Sequence, residues 1–250
     1  MTFVTNGKAY EALAAITMAV ERGRFVSLIG PSGCGKSTLF NIIAGLLTPS
    51  TGAVRVSGED VTGHVGGVGY MLQKDLLLPW RTVLDNVALG MEIRGMKLAA
   101  ARRAAQPYLE RYGLGGFEHS YPNALSGGMR QRAALLRTLL IDTDIILLDE
   151  PFGALDALTK HRMQEWLLAS WADFGKTIVF ITHDVEEAVF LSDEIFVMAA
   201  RPGRIVKHLD VPLERPRPRS VVASPAFTAL KQTCLGLLAD ELGAALDVVA

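Results

Sequence analysis

The chain has 250 residues, enough to bury a full core as one large α/β domain, or as one domain carrying a small inserted subdomain. Half of its residues are hydrophobic and only 20% are charged, which excludes a disordered chain, and a formal charge of -1 gives no polyanion-binding signal and argues against a nucleic-acid partner. Cys34 and Cys234 lie far apart and fit neither metal-ligand nor CxxC spacing, so they read as free thiols rather than a disulfide.

The opening stretch MTFVTNGKAYEAL lacks the charged start and apolar core of a secretion signal, and no apolar run approaches the ~18 residues that span a bilayer; neither secretion nor a membrane span is expected. Phe25 to Ile29 (FVSLI) is a short apolar run ending at Gly30, and a helical pattern follows from Lys36 to Leu46, giving strand, glycine-rich loop and helix in order. Further strands are expected at Val54 to Val56 and Val68 to Leu72, between the turn-forming stretches PSTG and SGED. From Thr82 to Leu140 alanine, leucine and arginine dominate and β-branched runs vanish. This predicts a helical subdomain, with Leu98 to Tyr112 its most helix-rich part. Ile145 to Leu148 and Thr177 to Ile181 read as buried parallel strands, separated by a helix with Met163, Trp166, Leu167 and Ser170 on one face, so the alternation of a doubly wound fold resumes. Glu194 to Met198 and Arg204 to His208 suggest a closing strand pair around ARPG. The segment PLERPRPR reads as an exposed turn or linker, and a terminal helix is expected over roughly Pro225 to Leu242.

Gly30, Pro31, Ser32, Gly33, Cys34, Gly35, Lys36 and Ser37, followed by Thr38, fit the phosphate-binding pattern G-x-x-x-x-G-K-[ST] between a strand and a helix. Glycines let backbone N–H groups wrap phosphates, and the helix N-terminus adds favourable partial charge. Lys36 is suited to the β- and γ-phosphates and the Ser37 hydroxyl to Mg²⁺. An ordinary glycine-rich turn is the competing reading, disfavoured by the complete motif in the right context. Asp149 and Glu150 end an apolar strand, at the edge where doubly wound sheets bind ligands. One carboxylate can hold Mg²⁺ through its water shell (Asp149) and the other can orient or deprotonate a water (Glu150); an acidic cap on the next helix is the plainer alternative.

Leu125-Ser-Gly-Gly-Met-Arg-Gln-Arg132 resembles the signature of ABC ATPases, and the resemblance extends over nearly the whole chain. Physically the segment is a second anion site: Ser126 and the amides of Gly127 and Gly128 sit at the start of a helix whose Met129, Ala133, Leu136 and Leu140 share one side. The resemblance implies an α/β P-loop NTPase (RecA-like) core with a helical signature subdomain and a small antiparallel β element. It implies an ABC nucleotide-binding domain over 1–210, the helical insert at about 80–140, and a C-terminal extension over 211–250. It further implies ATP hydrolysis with Mg²⁺, and a head-to-tail dimer in which the signature of one copy acts on ATP held by the other. Gln73 is similar to the glutamine that senses Mg²⁺ and the attacking water, Ala154-Leu155-Asp156 to the D-loop, and His183, after TIVFIT, to the switch histidine that contacts the γ-phosphate. His64, His119, His161 and His208 match no such position and are expected to be solvated or packed. The family places a strand before an aromatic that stacks on adenine. Here the chain starts almost at that aromatic, Phe3 with Tyr10 as the other candidate, so a missing strand and a late or truncated start are expected.

Gln73 to Val87, Arg201-Pro-Gly-Arg-Ile and Arg215-Pro-Arg-Pro-Arg resemble importers of the nitrate, sulfonate and taurine class, a grouping that includes pyrimidine-precursor importers. That implies transmembrane permease subunits as partners, a solute-binding protein acting indirectly, and a peripheral place on the cytoplasmic face of the inner (plasma) membrane. Leu76, Leu77, Leu78 and Trp80 form an apolar run where the family accepts a coupling helix, with core packing of the individual leucines as the alternative. A soluble non-transport ABC ATPase and an unrelated P-loop kinase are the competing functions. The signature and His183 disfavour the kinase, and the lack of a coiled-coil insertion, zinc hook or long charge tract disfavours DNA repair.

Overall fold

The computed structural model describes residues 1–5, 7–200 and 202–247; Arg201 of the ARPG turn lies outside them. In chain order the strands are β1 (Thr2–Thr5), β2 (Lys8–Glu11), β3 (Phe25–Ile29), β4 (Arg55–Val56), β5 (Glu59–Asp60), β6 (Gly69–Met71), β7 (Ile145–Asp149), β8 (Thr177–Ile181), β9 (Glu194–Ala199) and β10 (Arg204–Asp210). The helices are α1 (Lys36–Ile43), α2 (Val83–Val87), α3 (Leu89–Ile93), α4 (Leu98–Arg111), α5 (Gly127–Leu139), α6 (Ala157–Phe174), α7 (Val185–Leu191) and α8 (Pro225–Asp247). These elements group into two compact units, one from Met1–Val68 with the chain from Thr177 onward, the other from Gly69–Lys176.

In the first unit β3 is flanked by β8 and β9, both parallel to it, and β10 closes the edge antiparallel to β9. Every residue of β3 and β8 is buried, as continuous apolar strands covered on both faces must be. The one polar residue in β3, Ser27, is satisfied by a hydroxyl–hydroxyl hydrogen bond to Ser192. Two small antiparallel hairpins, β1–β2 and β4–β5, complete the strands of this unit. Helix α1 stops at Ile43, short of the expected Leu46. Gly45 takes φ +74° and the Leu46 N–H turns back to the Asn41 carbonyl (2.9 Å), so a left-handed cap ends the helix while the apolar pattern runs on.

The PLERPRPR segment corrects the expectation of an exposed linker. The Arg217 side chain is 1% exposed and donates to the carbonyls of Val189, Phe190 and Ser192 at 3.3, 3.0 and 2.7 Å. The last carbonyls of a helix lack partners within it, and a cation there satisfies them and complements the helix dipole. Desolvation pushes the guanidinium down to about 10. Arg215 adds bonds to the Leu191 carbonyl and Asp193, and α8 follows with Phe227 and Cys234 buried.

In the second unit β6 and β7 pair in parallel, Gly69 opposite Ile146. Helix α5 buries Ala133 and Leu136, with Leu140 buried just past its end, and α6 buries Met163, Gln164, Leu167 and Ser170. Trp166 of that expected face stands edge-on to Tyr112 at 5.3 Å, and Tyr112 donates to Asp173 (2.7 Å). Among the described residues no helix is long and apolar enough to cross a membrane.

Candidate functional site

The first unit holds the glycine-rich turn between β3 and α1. Gly33 and Gly35 have φ of +76° and +94°, a region that side chains resist, and a Cβ on Gly35 would lie 2.5 Å from Leu13 Cδ2. From behind, Gly203 approaches so closely that a Cβ there would sit 2.0 Å from the Cys34 carbonyl oxygen. The loop is therefore built to one shape. Lys36 is 7% exposed, and its Nζ donates to the carbonyls of Gly30 (2.7 Å) and Pro31 (3.0 Å). Cys34 is buried and free, and burial pushes its thiol up while the nearby Lys36 charge opposes the shift.

His183 follows β8 in the same unit and is exposed. Its neighbours are tied to α7. Thr182 Oγ1 donates to Glu187 Oε2 (2.5 Å), and Asp184 caps the helix by accepting from the Glu186 N–H (2.9 Å). Phe3 and Tyr10 prove to be register partners across β1–β2, which places both candidate aromatics on one face of the hairpin. Phe3, within β1, is half-buried and Tyr10 is 49% exposed.

The second unit brings Gln73 to Glu150: the glutamine Nε2 donates to Glu150 Oε2 at 3.3 Å. Glu150 has φ +45°, so the chain turns sharply straight after β7 and re-aims its carboxylate. Asp149 is 7% exposed beside the Tyr70 phenol, which burial and that charge push well above its ordinary value. Neither carboxylate caps the next helix; Asp156 does, accepting from the Thr159 N–H (3.0 Å), and the Thr159 hydroxyl together with that N–H pulls the Asp156 carboxyl down. Ser126 caps α5 by accepting from the Met129 N–H (3.3 Å), leaving Gly127 and Gly128 in the first turn as expected. The side-chain amide of Gln131 reaches the Pro151 carbonyl, tying the signature helix to the turn that carries Glu150.

Sequence reasoning missed the residues that shape the segment after Gln73. Buried Asn86 accepts from the Leu78 N–H (2.7 Å) and donates to the carbonyls of Leu78, Arg81 and Thr82, while Arg137 donates to the carbonyls of Asp75 and Leu76 (2.6 and 2.7 Å). So stapled, the apolar run divides: Leu77 is 7% exposed, whereas Leu76 and Trp80 are 51% and 72% exposed. Of the remaining histidines, His208 packs, stacked on Phe196 at 4.3 Å and bonded to Glu194.

Among the described residues no group of three or more His, Cys, Asp or Glu side chains is placed to hold a metal ion. Ser37 of the first unit, and Gln73 and Asp149 of the second, each carry an oxygen donor of the kind that Mg²⁺ takes, an ion that keeps several waters in its shell.

A family model described as ABC transporter matches residues 13–153. The chain is 45% identical over 240 residues to an uncharacterized ABC transporter ATP-binding protein of Methanocaldococcus jannaschii, covering 96% of this chain and 89% of that protein. It is 44% identical over 230 residues to the taurine import ATP-binding protein TauB of Yersinia pestis, covering 90% of each. Among solved structures, a dimeric post-hydrolysis state of the ATP-binding cassette MJ0796 bound to ADP and Pi matches with a TM-score of 0.73 at 30% identity, over 85% of this chain and 96% of that one.

Proposed function

The chain belongs to the ABC transporter family as an ATP-hydrolysing importer subunit, and from that premise we propose that it drives uptake of a small solute through ATP-dependent closure of a head-to-tail dimer. The observation that carries the reading is the Gln73 amide on the Glu150 carboxylate, at the sharp turn ending β7. A carboxylate held there is placed to orient a water or take its proton.

In this reading the turn from Gly30 to Thr38 wraps the phosphates, and Lys36 exchanges the Gly30 and Pro31 carbonyls for β- and γ-phosphate oxygens. The Ser37 hydroxyl, Asp149 and Gln73 would hold Mg²⁺, which would supply positive charge to offset that of the phosphates. Glu150 orients or deprotonates the attacking water, and His183 contacts the γ-phosphate. Phe3, with Tyr10 beside it, stacks on adenine. Ser126, Gly127 and Gly128 grip the γ-phosphate of ATP held by a second copy, with Asp156 near that junction. Leu76 and Trp80 receive a short helix of a transmembrane permease on the cytoplasmic side, with a solute-binding protein delivering cargo. The likeness to a taurine import protein favours a sulfonate-like anion within the nitrate, sulfonate, taurine and pyrimidine-precursor group.

Glu150→Gln tests the reading. It should bind MgATP as tightly as the wild type and lose turnover by on the order of 10² to 10⁴. Hydrolysis within about threefold of wild type would refute the role of Glu150.

A further inference from the structure

Thr182 and Asp184, on either side of His183, are bonded through their side chains to the first turn of α7. The loop that carries His183 is thus tied to that short helix, and α7 is in turn held by a remote part of the chain.

Alternate arginines of the Arg215-Pro-Arg-Pro-Arg stretch run along α7 from end to start. Arg215 and Arg217 take the carbonyls of its last turn. Arg219 lies over the Phe190 ring at 5.0 Å and reaches Glu186 Oε1 at 2.7 Å. Lys231 of α8 closes on the other oxygen of the same carboxylate at 2.9 Å. Glu186 is three residues beyond His183, and its own N–H is the one that Asp184 caps. Glu186 thus meets the histidine loop through its backbone N–H and two cations of the C-terminal segment through its carboxylate.

We propose that Arg219 and Lys231, acting through Glu186, are positioning residues for His183 during hydrolysis, a role that rests on the reading of His183 as the γ-phosphate contact. Misplacing a group at the reacting centre by a fraction of an ångström lowers turnover without weakening the bulk of nucleotide binding. The pairs themselves are part-exposed, with side chains 26% and 38% open on the cationic side, so their loss should cost little stability.

The test is a double-mutant cycle on the full chain, measuring steady-state ATP hydrolysis and thermal melting. Glu186→Gln should lower kcat on the order of tenfold, with KM for ATP and melting temperature nearly unchanged. Arg219→Ala with Lys231→Ala should reproduce the loss, and Arg219→Lys should retain most of the activity. In a His183→Ala background Glu186→Gln should add no further loss. Wild-type kcat in Glu186→Gln beside a defective His183→Ala would overturn the proposal, as would losses that multiply. A loss of kcat matched by a collapse in melting temperature, and not reproduced by Arg219→Ala with Lys231→Ala, would also overturn it. Wild-type turnover in His183→Ala would instead remove the premise, and the positioning role with it.

Discussion

Trp80 and Leu77 are three residues apart in one apolar run, yet the structure gives them opposite environments, 72% and 7% exposed. Replacing Trp80 with Ala therefore removes little that the fold uses. With most of its surface open, no more than about 70 Å² of a tryptophan's ~250 Å² is covered, an upper bound of ~1.7 kcal/mol at ~25 cal/mol/Å². In a chain of this size that corresponds to a fall in Tm of at most about 7 °C. Assembly with the permease should suffer far more. A central aromatic anchor is worth at least ~2 kcal/mol, about a 30-fold rise in Kd. Leu77→Ala should do the reverse, losing ~2–5 kcal/mol of stability through the cavity it leaves. Thermal melting of the isolated chain and titration against permease in nanodiscs separate the two effects. Permease affinity within about threefold of wild type for Trp80→Ala would refute the docking role.

Lys36→Ala removes a cation from the phosphate cradle and should weaken ATP binding on the order of 10- to 100-fold, the usual worth of a charged hydrogen bond; calorimetric titration showing unchanged affinity would contradict the assignment. Glu150→Gln should be monomeric alone and dimeric with MgATP, since the Ser126 helix has no γ-phosphate to grip until nucleotide is held, and light scattering that finds one state in both conditions would exclude the dimer mechanism. Asp85 is bound bidentately by Arg102 at 2.6 and 2.8 Å, and that bond holds its carboxyl below the usual range. A lowered carboxyl stabilises the fold above its unfolded pKa of about 4 and loses that contribution as pH falls through the folded value. Asp85→Asn should thus melt below wild type at pH 7, with the gap closing toward about pH 3; a gap constant with pH would refute the linkage.

The local shape of the candidate site was legible because its surroundings are self-sufficient. Gly33 and Gly35 are needed where φ is positive, Ser126 caps the helix it precedes, and Phe25–Ile29 is buried because nothing in it is polar except Ser27. What was not legible depends on partners distant in sequence. A Pro-Arg alternation has the composition of an exposed linker, and only the unpaired carbonyls at the end of α7, 25 to 28 residues upstream, turn Arg217 into a buried residue. Likewise four apolar residues in five positions carry no period. Asn86, Arg137 and the positive φ of Leu76 decide which side chain faces out.

The first unit is discontinuous, and this has a consequence for synthesis. Strand β3 finds its partners only at Ile178 and Glu194, after the whole of Gly69–Lys176 has been made. At ~5–20 residues per second, β3 emerges from the ribosome roughly 8–30 s before β8 does. Throughout that interval Phe25, Val26, Leu28 and Ile29 have neither β8 nor β9 to pair with, the condition under which apolar strands associate wrongly. The second unit can meanwhile complete its β6–β7 pair from contiguous sequence. Gly203 comes in behind Cys34 later still. The phosphate loop is written early in the chain, but the close backing that rigidifies it comes only once Gly203, about 170 residues later, has been made.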